Sequence, residues 1–133
     1  MEIKVAKNAG FCFGVKRAIE LVNKLSSEGK PVYTYGDIIH NESVVKELEE
    51  KGVRVVNDLD ELKNLEKGTL VIRSHGIPKS DYDKLADLGA EFQDATCPFV
   101  KKIHKLAREY SEDPNNKIVI IGSNRHCRLK KSS

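Results

Sequence analysis

Apolar positions along this chain follow two alternating rhythms, short runs of β-branched and aromatic residues and longer windows at helical spacing, with almost no interruption between them. Residues 2–6 read as a first strand. Val15, Ala18, Ile19, Val22 and Leu25 recur at helical spacing and predict a helix over about 12–28, with Gly29 as its stop. Residues 31–35 read as the next strand. Asn41 then caps a helix that turns Val44, Val45 and Leu48 inward and ends at Gly52. Residues 53–56 are a strand, 58–62 a single helical turn, and 69–73 a strand that runs into Ser74-His75-Gly76-Ile77-Pro78.

The remainder continues the alternation. A helix over 79–88 stops at Gly89, a weak strand covers 90–93, and the turn Asp94-Ala95-Thr96 leads to a helix. That helix has Cys97 as its cap and Pro98 at its first position, where a missing N–H forfeits no bond. It is expected to bury Val100, Ile103, Ala107 and Tyr110. Residues 118–121, Ile-Val-Ile-Ile, are expected as a strand covered on both faces. Strand and helix in strict alternation imply an α/β fold, a three-layer sandwich-type lobe with a parallel sheet and flanking helices. No repeat of fixed period and no linker composition interrupts it, so a boundary would fall in a short turn, best placed at 94–96.

Parallel sheets bind ligands outside the carboxyl ends of their strands. The turns at those ends hold Gly10-Phe11-Cys12-Phe13-Gly14, His40-Asn41, Ser74-His75-Gly76, Thr96-Cys97-Pro98 and, four residues after Gly122, His126. Each of these residues has an ordinary alternative: a lone cysteine is usually a small buried hydrophobe, and a loop histidine often caps backbone groups. Their neighbours favour chemistry. Glycines on both sides of Cys12 permit a bulky group to approach, Cys97 opens a helix, whose N-terminus favours an anionic ligand atom, and three histidines at equivalent turns suit a phosphate. By contrast His104, between Ile103 and Lys105, is expected on the solvated face of its helix. The residues alone thus support a two-thiolate metal or redox centre beside a histidine-lined anion pocket, and leave the metal open, zinc included.

Charge and composition narrow the classes. The chain has 133 residues, 39% hydrophobic and 32% charged, which is ordinary for a soluble domain. Its net charge of +3 is spread along the chain apart from a basic cluster over 125–131, so no nucleic-acid partner is expected. The longest apolar run, 118–121, is far short of a membrane span. With no signal-peptide pattern at the start and three cysteines, Cys12, Cys97 and Cys127, at spacings that suit no disulfide framework, a cytoplasmic location is expected.

Several motifs are then recognisable together: Ala9-Gly10-Phe11-Cys12-Phe13-Gly14-Val15 with Arg17-Ala18-Ile19, Ile39-His40-Asn41, Ser74-His75-Gly76, Asp94-Ala95-Thr96-Cys97-Pro98 with Val100, and Ile121-Gly122 followed by His126. In order and spacing they resemble the 4-hydroxy-3-methylbut-2-enyl diphosphate reductase family, from residue 1 to about 126. The resemblance implies a [4Fe-4S] cluster held by three cysteines, of which Cys12 and Cys97 match two. It implies reductive removal of the allylic hydroxyl of a small diphosphate substrate, with electrons from a ferredoxin or flavodoxin, to give isopentenyl and dimethylallyl diphosphate. His40, His75 and His126 match histidines that grip the diphosphate or relay protons, His126 being the expected catalytic one.

The chain also departs from that pattern. After His126 the family continues Pro-Glu-Val, its glutamate being the proton donor, whereas here Cys127-Arg128-Leu129-Lys130-Lys131-Ser132-Ser133 follows. The third cluster cysteine and the remaining diphosphate ligands belong to later parts of a chain about twice as long. The expected organisation is therefore a first α/β lobe over 1–95, the truncated start of a second similar lobe over 96–126, and a tail over 127–133 that a frameshift or truncation would produce. Such a chain is expected to be inactive alone. A phosphate-binding module without redox chemistry is the alternative, and a thiol or zinc hydrolase using Cys97 a weaker third.

Overall fold

In the computed structural model, which describes residues 1–6 and 9–119, four parallel strands form one sheet in the order β2-β1-β3-β4. The elements are α1 (Phe13–Ser27), β1 (Val32–Tyr35), α2 (Glu42–Glu50), β2 (Arg54–Val56), a 3-10 helix (Leu59–Asn64), β3 (Thr69–Ile72), α3 (Lys79–Asp87), β4 (Phe92–Asp94) and α4 (Pro98–Ser111). Central β1 and β3 pair in register from Val32 opposite Thr69 to Tyr35 opposite Ile72.

Successive side chains of a strand point to opposite faces, and this sheet uses both. Val32 and Val71 face one core, where α1 contributes Ala18, Val22 and Leu25 and α2 contributes Leu48. Tyr33, Leu70 and Ile72 face the other, closed by Leu59 of the 3-10 helix and Leu85 of α3. The result is the three-layer sandwich with a parallel sheet and flanking helices that the alternation of elements predicts. Local signals act where expected: the Asn41 side chain accepts the Val44 N–H at 3.2 Å, and Asp58 and Glu61 form a reciprocal capping box at the 3-10 helix.

Three expectations are corrected. Residues 2–6 form no strand; Ile3 and Val5 are 75% and 79% exposed, because neither edge of the described sheet takes them up. The weak strand expected at 90–93 lies later, at Phe92–Asp94, since pairing with Leu70 to Ile72 sets its register. On α4 only Val100 is buried, whereas Ile103 and Tyr110 are each 59% exposed. The periodicity of α4 was correct, but α4 leaves the sheet after its first turn and no described element lies against the rest of its apolar face. Of the strand expected at 118–121, Ile118 and Val119 are exposed coil and the other two residues lie outside the described residues.

Candidate functional site

The strand order fixes where a site can be. From β1 the chain crosses by α2 on one face of the sheet to β2; from β3 it crosses by α3 on the opposite face to β4. The two connections diverge from neighbouring strands and leave a crevice between the carboxyl ends of β1 and β3, the position where parallel sheets hold ligands. His40 follows β1 and His75 follows β3. Their rings stack across that crevice with centroids 5.1 Å apart and planes inclined by 23°. The Ser74 hydroxyl donates to the Ile38 carbonyl at 3.4 Å and joins the two turns beneath the histidines.

The thiols arrive from two helix starts. Cys12, in extended backbone conformation, caps α1 and Cys97 caps α4, and neither side chain makes a capping hydrogen bond. Both are free thiols, Cys12 exposed and Cys97 half-buried. What brings the helix starts together is Gly14. A methyl group added there would lie 2.6 Å from Sγ and 2.8 Å from Cβ of Cys97, so the first turn of α1 rests directly on the Cys97 side chain. Beside this contact the rings of Phe13 and Phe99 meet edge to face, with centroids 6.4 Å apart. Arg17 clamps the joint by donating to the carbonyls of Thr96 at 3.2 Å and Ala95 at 3.4 Å.

Cys97 is also bound to the histidine side of the crevice, since its N–H donates to the Ser74 carbonyl at 2.9 Å. Asp94 holds the turn that presents it. One carboxylate oxygen accepts the Thr96 N–H at 2.8 Å, and the other accepts from Tyr82 of α3 at 3.1 Å and pairs with Lys101 of α4 at 2.6 Å. Burial alone would raise the Asp94 carboxyl, but the bonds from Lys101 and Thr96 outweigh it and hold the group below the usual carboxylate range. Tyr82 is pushed up, chiefly by burial, with the Asp94 charge adding to it.

Four of the five sequence-predicted site residues are described, and they fall into two linked pairs. The Cys97 N–H donates to the Ser74 carbonyl in the turn that carries His75, His75 stacks on His40, and Cys12 lies two residues from the glycine that touches Cys97. His126 and Cys127 lie outside the described residues. The clamps Arg17 and Asp94 were missed by reading for chemistry. Asp94 carried a usable signal, an acidic residue three positions before a helix cap, where its side chain can take the N–H two residues on. As donors the two thiols suit a thiophilic metal or an iron–sulfur cluster. Their number falls short: among the described residues no group of three or more His, Cys, Asp or Glu side chains could hold a metal ion by itself. No helix among them is long and apolar enough to cross a membrane.

Taken together, this is a parallel α/β lobe whose switch-point crevice is walled by stacked histidines and approached by two cysteine-capped helices. Comparison with known proteins says which family. The family described as LytB protein matches residues 3–130, and the chain belongs to that family. It is 52% identical over 129 residues to the 4-hydroxy-3-methylbut-2-enyl diphosphate reductase of Caldanaerobacter subterraneus subsp. tengcongensis, covering 95% of this chain and 44% of that protein. The enzyme of the same name from Clostridioides difficile is 43% identical over 127 residues, with the same shares covered. Among solved structures, the E-1-hydroxy-2-methyl-but-2-enyl-4-diphosphate reductase from Plasmodium falciparum superposes with a TM-score of 0.73 at 32% identity, over 80% of this chain and 33% of that one. A structure of (E)-4-hydroxy-3-methyl-but-2-enyl diphosphate reductase, described as the terminal enzyme of the non-mevalonate pathway, gives 0.76 at 37% identity over 96% and 44%. The chain thus spans less than half the length of the curated relatives it matches.

Proposed function

We propose that this chain supplies the first lobe, residues 1–95, and the start of the second, 96–126, of a 4-hydroxy-3-methylbut-2-enyl diphosphate reductase. The observation that carries this reading is the joint itself: two cysteine-capped helix starts in contact through Gly14 and Cys97, tied by the Cys97 N–H to the turn of a stacked histidine pair. In this role Cys12 and Cys97 are two ligands of a [4Fe-4S] cluster, the remaining ligand coming from outside the described residues. The cluster, when bound, delivers electrons from a ferredoxin or flavodoxin to the allylic alcohol. The net reaction takes up two electrons and two protons, breaks the C–O bond and releases the hydroxyl as water.

The described residues have a definite share in that chemistry. His40 and His75, at the crevice where two strand ends diverge, bind and orient the diphosphate by hydrogen bonds. Asp94 and Arg17 fix the Cys97 turn against α1. His126 is proposed as a further diphosphate contact and proton relay. Free thiols at Cys12 and Cys97 suit the reducing cytoplasm, where we place the protein.

Titration of the chain with inorganic pyrophosphate, followed by the ring signals of histidine in NMR, tests the anion-binding half. Shifts at His40 and His75 that vanish in His75→Ala support it; no shift at either sinks it. Anaerobic reconstitution with iron and sulfide tests the thiol half. Substoichiometric cluster that disappears in Cys12→Ser and Cys97→Ser is the expected outcome, with no turnover by the chain alone. A chain that binds pyrophosphate and takes up no iron would instead be a phosphate-binding module.

A further inference from the structure

Along α4 runs a row of exposed apolar side chains that no described element covers. Phe99, Ile103, Leu106 and Tyr110 are 68%, 59%, 41% and 59% exposed. Their separation by four, three and four residues keeps one narrow seam of a helix turned toward a second helix. The seam borders a groove of about 620 Å3 between α4 and residues 116–119, where Ile118 and Val119 add exposed apolar surface. The helix projects from the lobe, since between Lys101 and Ser111 every residue but Ala107 is exposed.

The charges beside the seam point to its occupant. In the heptad that puts Phe99 and Leu106 at d and Ile103 and Tyr110 at a, the flanking g positions are Lys102 and Glu109. The flanking e positions, Val100 and Ala107, carry no charge, and Lys101, Lys105 and Arg108 fall at f and c, away from the seam. Two copies of α4 packed antiparallel about a two-fold axis would set Ile103 against the partner's Leu106 and Phe99 against the partner's Tyr110. The layers are then aliphatic at the centre and aromatic at both ends. The same register sets Lys102 opposite the partner's Glu109, twice by symmetry. A parallel pair would instead set Lys102 beside the partner's Ala107 and leave both charges unanswered. Within one chain Glu109 meets only Lys105, at 3.5 Å, an exposed contact that is easily given up.

We infer that α4 is a self-association surface, and that the chain forms a two-fold dimer by packing this seam antiparallel against that of a second copy. Side chains of this size, each about half exposed, remove on the order of 1,000 Å2 from water when two copies pair, the lower end for a specific interface. The dimer is accordingly a weak one, with a dissociation constant on the order of 10 µM. The inference stands on the exposed seam and its flanking charges, and is independent of the reductase reading.

Sedimentation of the full 133-residue chain, in reductant so that no disulfide contributes, tests it. Between about 1 and 300 µM the mass passes from monomer to dimer. Leu106→Glu, which sets a charge at the centre of the seam, leaves the urea midpoint of the monomer unchanged and raises the dissociation constant more than about tenfold. Lys102→Glu and Glu109→Lys each place like charges opposite one another and weaken self-association several-fold. An equimolar mixture of these two variants recovers it, because each chain then meets its opposite charge. A chain that stays monomeric at the highest concentration overturns the inference, and if its α4 amides are also protected, the chain covers this face itself. A dimer indifferent to Leu106→Glu overturns it too, as does a mixture that associates no better than its two components.

Discussion

Gly14 and Cys97, 83 positions apart in sequence, are in such close contact that no side chain larger than hydrogen fits at residue 14 without moving the thiol. Gly14→Ala is accordingly an overpacking substitution at the joint between α1 and α4. It should destabilise the lobe by about 1–3 kcal/mol, measured by urea denaturation. Alkylation of Cys97 should change in rate, whereas alkylation of the exposed Cys12 changes little.

Asp94 gathers three donors, and Asp94→Asn should loosen the turn before Cys97 at a cost of about 1–2 kcal/mol, the group being only part-buried. Lys101→Met should reproduce part of this loss. Hydrogen exchange of the Thr96 and Cys97 amides reads it directly; amides as protected in Asp94→Asn as in the unaltered chain would contradict the clamp.

Two carboxylates set the acid limb of stability. Asp60, bonded by Lys63 and Lys84, is lowered from 3.8 to about 2, and Asp94 is lowered as well. A folded-state value below the unfolded one stabilises fully above the unfolded value and ceases to do so as pH falls through the folded value. Stability measured in urea should therefore be flat in this respect above about pH 4 and fall toward pH 2. The slope should be shallower in Asp60→Asn and Asp94→Asn.

Buried and unburied apolar residues should separate sharply. Leu85 is fully buried between α3 and the sheet, and Leu85→Ala should cost about 2–4 kcal/mol. Ile103→Ala and Tyr110→Ser on α4 should each change stability by less than about 0.5 kcal/mol. Amides of 101–111 should exchange faster than those of β1 and β3, since only the first turn of α4 is packed.

These contrasts show what the sequence could and could not convey. Helical spacing at Val15 to Leu25, the Asn41 cap and the Cys97-Pro98 start located α1, α2 and α4 to within a residue or so, because each depends on local chemistry. The alternation of strands with helices conveyed the parallel sheet with helices on both faces. Burial of α4 was not legible, since periodicity tells which side of a helix is apolar and says nothing about what lies opposite. The strand expected at 2–6 failed likewise, a β-type run needing a neighbour to pair with. At the site, residue types and turn positions singled out Cys12, His40, His75 and Cys97, but the contacts that unite them run through Gly14, Arg17 and Asp94, whose part depends on how distant turns meet. His104, expected on the solvated face of its helix, is exposed there.

The two cysteine caps have a consequence for the history of such a chain. Serine or aspartate at Cys12 or Cys97 would accept a first-turn N–H that neither thiol caps, and such caps are worth about 0.5–2 kcal/mol over residues that do not cap. By folding alone, then, mutation at these two codons runs downhill toward serine, a single nucleotide away. A lineage relieved of its chemistry should lose these thiols early while Gly14, whose role is steric, persists longer; the order of decay among silent copies would record which residues served the reaction and which the fold.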